Sequence, residues 1–338
     1  MKFSFIIPIH NRPDELRDLL KSFLHQSDNE VSYEIIIVDD GSTINLESVI
    51  ETYTNLLPIR YIKKENTGPG HSRNKGMELA KGEYFIILDS DVILPHGYLR
   101  ELNLLKKEKQ LLAAGGGPDM ARKDFSPFIR AVDLAMTSFM TTGGIRGNKK
   151  KLSRFVPRSF NMIIRRDVFE NTGGFGNMHP GEDPDWIYRL WKKDYPTGFY
   201  PRLNVYHKRR SDWKSFFKQV KKFGVARAIL NYYYPEYASP VYYFPLLYMI
   251  GLVFAILLGI NGYYFLLYIY MIYELLIMIE FLWRSKNIYL TLLAWWVFHI
   301  QIFAYAYGFI QGLWKIKILK QSPQKAFPGM FFQKNNNV

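Results

Sequence analysis

One strand-like stretch constrains the fold more than any other, because an apolar run there ends in two acids. The residues from Tyr84 to Leu88 are all apolar, which is the pattern of a strand buried on both faces of a parallel sheet. Asp89-Ser90-Asp91 follows directly. Open α/β sheets bind ligands beyond the carboxyl ends of their strands. The Asp-x-Asp sequence therefore predicts a binding site at the edge of a sheet.

In the sequence before Tyr84, short apolar runs alternate with segments that have the spacing of amphipathic helices. Strands are predicted over 3–9, 33–38 and 59–62, and helices over 13–24, 45–54 and 71–80. A further short strand is expected at 162–164. Strands that alternate with helices predict an α/β fold with a doubly wound, mostly parallel sheet.

The carboxyl ends of these strands should lie side by side, which brings several polar residues to one crevice. A carboxylate at the second strand end, Asp40, suits contact with a nucleobase or ribose. Arg73 near a helix start suits a pyrophosphate. Asp89 and Asp91 would repel each other unless a cation lay between them. Mg²⁺ or Mn²⁺, which prefer oxygen ligands, would resolve that conflict.

Composition limits the classes of partner. The chain has 338 residues, no cysteine and a net charge of +14. Disulfides and thiolate metal sites are therefore excluded, and an anionic partner is expected. Nucleic acid would account for the charge, but it would not account for the apolar carboxyl-terminal part of the chain.

That carboxyl-terminal part contains three candidate membrane spans, over 241–260, 263–283 and 288–314. Each reaches the length of about 20 residues that crosses a bilayer. Glu274 and Glu280 lie within them and should face protein or water. The apolar run at the amino terminus is too short for a signal peptide. A multi-pass protein of the plasma (inner) membrane with a cytoplasmic first domain is therefore expected.

A basic amphipathic helix precedes the spans. Aromatic residues lie along one face of 213–224 and lysines along others, which suits an anionic membrane interface. The expected division is a catalytic domain over 1–210, an interfacial helix and linker over 211–238, a membrane region over 239–316 and a basic polar tail over 317–338.

Four segments carry a resemblance to a known family. IIPIHNR, IIIVDDGST, GPGHSRNKGMELAKGEYFIILDSD and GGFGNMHPGEDPDWIYRL occur in order over residues 3–210. Together they resemble family 2 glycosyltransferases of the GT-A fold, a Rossmann-like nucleotide-sugar-binding domain. The resemblance implies transfer of a sugar from a UDP-, GDP- or dTDP-sugar, with inversion at the anomeric carbon and with Mg²⁺ or Mn²⁺.

The resemblance also implies roles for single residues. Asp40 would contact the base, and Asp91 would be the main metal ligand, with Asp89 beside the sugar or ribose and near the metal. Pro8 and Asn11 would line the nucleotide pocket. In the acid pair Glu182-Asp183, Asp183 would be the catalytic base.

The chemistry of inverting transfer supports the choice of this acid pair. One carboxylate must remove the proton of the acceptor hydroxyl as the attack develops. Trp186, Ile187 and Leu190 have helical spacing, so Glu182-Asp183 is expected at a helix start. The alternative is that both acids only cap that helix.

Acceptor residues are less well defined. Gln219, Lys222 and Phe223 partly match the Gln-x-x-Arg-Trp pattern of processive polysaccharide synthases, with Lys for Arg and Phe for Trp. A generic interfacial helix would show the same residues. His207 could bind an acceptor phosphate or be structural. The basic run 146–154 is expected as a loop that either covers the diphosphate or acceptor or is simply solvated.

The sequence thus predicts a membrane-anchored, metal-dependent inverting glycosyltransferase with a lipid-linked or membrane-presented acceptor, in surface polysaccharide or glycolipid assembly. Two alternatives stay open. One is a processive synthase that uses the same site. The other is a membrane scaffold whose nucleotide-binding domain has no catalytic activity.

Overall fold

The computed structural model of the chain describes residues 2–26, 31–143 and 155–332. They form two compact units. The first contains residues 2–26, 31–120, 155–207 and 329–332, and the second contains 121–143 and 208–328. The expected loop at 146–154 lies outside the described residues.

The first unit holds the strands. In chain order they are β1 (Phe3–Ile9), β2 (Tyr33–Asp40), β3 (Ile59–Lys64), β4 (Tyr84–Ile87), β5 (Val92–Ile93), β6 (Ala114–Gly116), β7 (Asp119–Met120), β8 (Met162–Arg165), β9 (Thr197–Phe199) and β10 (Val205–His207).

The helices occur in both units. They are α1 (Pro13–Leu24), α2 (Glu47–Thr54), α3 (Pro69–Leu79), α4 (Tyr98–Lys107), α5 (Pro127–Thr137), α6 (Phe139–Thr142), α7 (Arg166–Thr172), α8 (Glu182–Trp191), α9 (Trp213–Tyr233), α10 (Phe244–Ile260), α11 (Phe265–Ser285), α12 (Ile288–Leu313) and α13 (Pro323–Ala326).

The main sheet has the order β3-β2-β1-β4-β8-β6-β9. The four strands β3, β2, β1 and β4 are parallel to one another, whereas β8 is antiparallel to both β4 and β6. All seven residues of β1 are buried, as expected for a strand covered on both faces. The predicted parallel sheet and the adjacent strand ends are confirmed.

The sequence did not indicate β6, β9 or a second, smaller sheet of order β5-β10-β7. These strands have only two or three residues each, too few for a hydrophobic period to show. β6 also contains Gly115, where a Cβ would lie 2.3 Å from Cε2 of Tyr200. The Tyr200 ring therefore leaves room only for glycine at position 115, and glycine in a sequence pattern indicates a turn rather than a strand.

The second unit is built on apolar helices. Within the described residues, Pro240–Ile260, Phe265–Ser285 and Ile288–Ile318 are long and apolar enough to cross a membrane, close to the predicted spans. Residues 121–143, which the sequence grouped with the catalytic domain, belong to this unit. Ala131, Val132 and Ala135 of α5 are buried in the same apolar cluster as Phe298 and Ile302 of α12.

The basic helix α9 packs closely along α12. A Cβ at Gly224 would lie 2.2 Å from the carbonyl oxygen of Tyr305, and one at Gly308 would lie 2.0 Å from the carbonyl oxygen of Lys221. The backbones therefore approach each other as in small-residue helix pairs. The predicted apolar face of α9 is present, but its residues 224–231 are all buried, so this half of the helix is not a surface element.

The two acids in the apolar helices contact protein, as the sequence suggested. Glu280 accepts hydrogen bonds from the Ser138 hydroxyl at 2.6 Å and from the backbone N–H groups of Phe139 and Met140 at 3.1 Å. It thereby supplies acceptors to the start of α6. Glu274 accepts a hydrogen bond from Nε1 of Trp295 at 2.6 Å.

We predict that Gly224→Ala lowers the stability of the second unit, because its methyl group would overlap the Tyr305 carbonyl. Overpacking of this kind costs about 1–3 kcal/mol. The loss of stability is measured as a lower thermal unfolding midpoint of the full chain in detergent. Lys218→Ala, at an exposed position of the same helix, is the control. Equal midpoints for Gly224→Ala and wild type would contradict the close helix contact.

Candidate active site

Three parallel strands end together, and each is followed by polar side chains. Asn11, after β1, has a left-handed backbone with φ 54°. Its Oδ1 accepts hydrogen bonds from the N–H groups of Thr43 at 2.9 Å and Ile44 at 3.2 Å. Pro8 is buried within β1 opposite Val38. The turn after β2 is thus held against the end of β1.

Asp40, at the end of β2, organises the start of α3. Its carboxylate pairs with Lys64 and accepts the N–H groups of Thr67 at 3.0 Å and Gly68 at 2.9 Å. Burial alone would raise the pKa of Asp40, but Lys64 and the backbone amides outweigh it and lower that pKa below its ordinary value. Asp40 is therefore an anion that holds the Thr67-Gly68 turn.

Arg73 of α3 connects the Asp-x-Asp sequence to the acid pair. Nη2 donates to Oδ1 of Asp89 at 2.7 Å, and Nη1 donates to Oε1 of Glu182 at 3.1 Å. The side chain is 4% exposed, and its guanidinium lies 5.1 Å from the centre of the Phe175 ring. The pyrophosphate contact expected of Arg73 stays a prediction, because its terminal nitrogens have carboxylate partners here.

Glu182, the first residue of the acid pair, has two partners. It accepts from Arg73 and also from Nδ1 of His179 at 2.9 Å. Burial opposes its ionisation, but His179 and Arg73 outweigh burial and lower the pKa of Glu182 to about 2. The contact of Glu182 with Arg73 connects the start of α8 to α3.

Asp183, the next residue, is compensated less: Arg73 and Arg158 favour its ionisation but do not outweigh burial. Oδ2 accepts the N–H of Ser159 at 3.1 Å, whereas the buried Oδ1 accepts no hydrogen bond from the described residues. Burial and repulsion from Glu182 raise the pKa of Asp183 to about 6. A carboxylate that has one oxygen without a hydrogen bond from the described residues and a pKa of about 6 has the properties of a general base.

Asp91 is held by two cations. Nη1 of Arg12 donates to its Oδ2 at 2.8 Å, and Nε2 of His207 lies 3.2 Å from its Oδ1. Burial would raise the pKa of Asp91, but His207 and Arg12 lower it to about 2. The second nitrogen of His207, Nδ1, pairs with Asp119 at 3.0 Å.

The small sheet explains why these residues meet. β10 pairs with β5, which directly follows Asp91, and with β7, which begins at Asp119. His207 at the end of β10 thus lies between the two acids. Burial would lower the pKa of His207, but Asp91 and Asp119 outweigh it and raise that pKa to about 9.

Asp91 offers one oxygen to a divalent cation, which would have to replace the proton of His207. Oδ1 is buried and accepts no aligned hydrogen bond, and the neighbouring Nε2 of His207 can coordinate a metal once its proton is lost. The described residues contain no cluster of three or more His, Asp or Glu side chains spaced as metal ligands. Asp91 and His207 could therefore hold Mg²⁺ or Mn²⁺ only together with oxygens from substrate or water.

Comparison with known proteins identifies the fold. The family model described as glycosyl transferase family 2 matches residues 4–173, half of the chain.

The chain belongs to this family.

The matched segment includes Asp40, Asp89 and Asp91 and ends before the acid pair. The fold expectation is confirmed as a GT-A-like α/β domain.

Curated relatives are similar over short segments. One is the poly(ribitol-phosphate) beta-N-acetylglucosaminyltransferase TarP of Staphylococcus aureus, 36% identical over 109 residues that cover 32% of this chain and 33% of that protein. Another is a poly(ribitol-phosphate) beta-glucosyltransferase of Bacillus spizizenii, 32% identical over 146 residues, 39% of this chain and 23% of that protein. The alignments thus span a third or less of these relatives.

A solved structure is similar over most of the chain. The mannosyltransferase PcManGT from Pyrobaculum calidifontis, in complex with GDP-Man and Mn²⁺, has a TM-score of 0.58 at 15% identity. The match covers 93% of this chain and 87% of that one. At this identity the likeness is one of fold.

Several contacts of this family 2 site were missed in the sequence. Arg12, Lys64, Asp119 and His179 each contact one of the expected site residues directly. Arg12 lies within the segment IIPIHNR, and Asp119 follows a run of glycines. Neither pattern indicates which side chain the residue will contact. Sequence spacing does not show which side chain a carboxylate will contact across the sheet edge.

The expected acceptor residues are in different units. His207 belongs to the first unit, beside Asp91. Gln219, Lys222 and Phe223 lie on α9 in the second, with Lys222 exposed and the other two half-buried. Their roles toward an acceptor stay predictions.

We predict that Asp183→Asn stabilises the protein at pH 7.5 and stabilises it only about half as much at pH 5. The folded state holds the Asp183 proton more tightly than the unfolded chain does, since the pKa rises from 3.8 to about 6. The carboxylate therefore reduces stability increasingly as the pH rises through that interval. Unfolding midpoints of variant and wild type at the two pH values measure the difference.

Asp194→Asn is the control, because Asp194 is exposed and has a left-handed backbone that asparagine also tolerates. A gain of equal size at both pH values would show that Asp183 carries no unfavourable charge.

Proposed function

We propose that the chain is a metal-dependent inverting glycosyltransferase that moves a sugar from a nucleotide-sugar to a lipid-linked or membrane-presented acceptor. The observation that carries the proposal is the pairing of Glu182, whose pKa is lowered, with Asp183, whose pKa is raised, beside the carboxyl ends of β1, β2 and β4. The apolar helices support a membrane location, with the first unit in the cytoplasm. The names of the relatives support surface-polymer assembly.

In the proposed reaction Asp183 accepts the proton of the acceptor hydroxyl through Oδ1. The acceptor oxygen forms a bond to the anomeric carbon as the bond from that carbon to the diphosphate oxygen breaks, and the nucleoside diphosphate leaves with the electron pair. A divalent cation, when bound, would neutralise charge on the diphosphate. Asp91 and His207 would hold it, and Arg73 would fix Asp89 and Glu182 around the donor.

Donor binding tests the first half of this proposal. Full-length protein in detergent is titrated with uridine, guanosine and thymidine diphosphates and their sugar conjugates, with Mn²⁺ or with chelator. We expect one base to bind in a metal-dependent manner and Asp91→Asn to weaken that binding about 10-fold or more, by removing a charged ligand. Asp194→Asn should bind as wild type does.

Lack of binding across the panel would favour the scaffold alternative. Binding that is equally tight in chelator, with Asp91→Asn unaffected, would contradict the metal assignment.

Catalysis tests the second half. Asp183→Asn should reduce sugar transfer, or release of nucleoside diphosphate to water, by about 10²–10⁴-fold, with nucleotide affinity changed less than about 2-fold. In the wild type the rate should rise with pH through about 6, because only the ionised carboxylate accepts a proton, and should then level off. Near-wild-type turnover in Asp183→Asn would exclude Asp183 as the base.

A further inference from the structure

The segment 329–332, here called the tail strand after the single β-bridge formed by Phe331, follows the apolar helices and belongs to the first unit. The sequence suggested only a basic polar tail over 317–338. Instead, Met330 is 6% exposed, and Phe331 forms an isolated antiparallel bridge with Met178. The tail strand is thus an ordered part of the unit that contains the candidate active site.

Two backbone hydrogen bonds attach the tail strand to the segment before the acid pair. The N–H of His179 donates to the carbonyl of Met330 at 2.8 Å, and the N–H of Phe332 donates to the carbonyl of Asn177 at 3.0 Å. The paired residues lie a few positions before Glu182 and Asp183. Gly181, which has φ 122°, lies between the paired residues and the acid pair. Because glycine restrains the backbone less than other residues do, the position of the acid pair depends on contacts of this kind.

Phe332 also contacts the start of α3. A Cβ at Gly68 would lie 2.4 Å from Cδ2 of the Phe332 ring, so the ring lies directly against the Gly68 backbone. Gly68 has φ 95° and donates its N–H to Asp40. The Phe332 ring is also 6.2 Å, centre to centre, from the ring of His179.

The ring therefore joins the two parts of the site. On one side is the Thr67-Gly68 turn held by Asp40. On the other is His179, whose Nδ1 contacts Glu182 at 2.9 Å. His71 adds a parallel link, since its Nε2 lies 2.9 Å from Oδ1 of Asn177. The tail strand thus covers the junction between α3 and the segment leading to Asp183.

We propose that the tail strand is a positioning element for Asp183, and that Phe332 is its positioning residue. By pairing with residues 177–179 and lying against Gly68, it holds the start of α8 at a fixed distance from α3. Loss of this contact would let Asp183 move relative to the donor, and a displacement of about 1 Å can reduce a rate about 10²-fold. This role in catalysis rests on the proposed glycosyltransferase function.

The test compares Phe332→Ala and Phe332→Tyr with wild type in the full-length protein. We expect Phe332→Ala to lower kcat for nucleoside diphosphate release about 10-fold or more, with donor affinity within about 2-fold, and Phe332→Tyr to keep most of kcat because it retains the ring. Lys325→Ala, at an exposed position outside the tail strand, should match wild type. If Phe332→Ala does not fold, Phe332→Leu replaces it, with a smaller expected loss.

Hydrogen exchange provides a readout that is independent of activity. The His179 amide, which donates to Met330, should exchange about 10-fold faster or more in Phe332→Ala. Unchanged kcat or unchanged exchange would overturn the proposal. So would weaker donor binding with unchanged kcat, because Phe332 would then be a wall of the nucleotide pocket. If wild type binds no nucleotide, the proposed function fails, and the exchange rates alone decide whether the tail strand holds this segment.

Discussion

The arrangement of the site depends on one buried cation. Arg73 is almost fully removed from solvent, and a buried guanidinium is tolerated only with anionic partners. Asp89 and Glu182 are those partners, although they lie on different elements. Their pairing with Arg73 fixes the distance between the Asp-x-Asp sequence and the start of α8. The active-site geometry is therefore a consequence of charge compensation in a region of low dielectric constant.

The same compensation separates the properties of two adjacent acids. Glu182 receives the charge of Arg73 and His179, whereas Asp183 receives mainly burial and repulsion, so their pKa values move in opposite directions. The two acids of Asp-x-Asp also have different cationic partners. Asp89 contacts Arg73, while Asp91 contacts Arg12 and His207. Each acid has its own surroundings, and its chemistry follows from them.

Much of the fold was predictable from the sequence. The strands β1 to β4 have hydrophobic periods long enough to recognise, and the spans were placed close to α10, α11 and α12. The short strands β5, β7 and β10 have no such period, although their pairing brings Asp91, Asp119 and His207 together. Residues 121–143 group with the second unit because their small apolar side chains pack against helices far along the chain, which composition does not show.

For the site, the sequence indicated residue types but not partners. Asp40, Asp89, Asp91 and Asp183 follow strands or precede a helix, which a pattern can show. Their cations come from elsewhere along the chain: Arg12 lies 79 residues from Asp91, and Arg73 lies 109 from Glu182. Such pairings are decided by tertiary structure. The tail strand was missed for the same reason, since its backbone hydrogen bonds and the contact of the Phe332 ring with Gly68 join residues far apart in the sequence.

The contact between Glu280 and the start of α6 has a consequence for biosynthesis. Ser138 and Glu280 are 142 residues apart, and α6, only four residues long, has too few internal hydrogen bonds to persist alone. Residues 138–142 therefore leave the ribosome long before their stabilising carboxylate is made. We therefore expect α6 to form only after α11, which carries Glu280, has been translated.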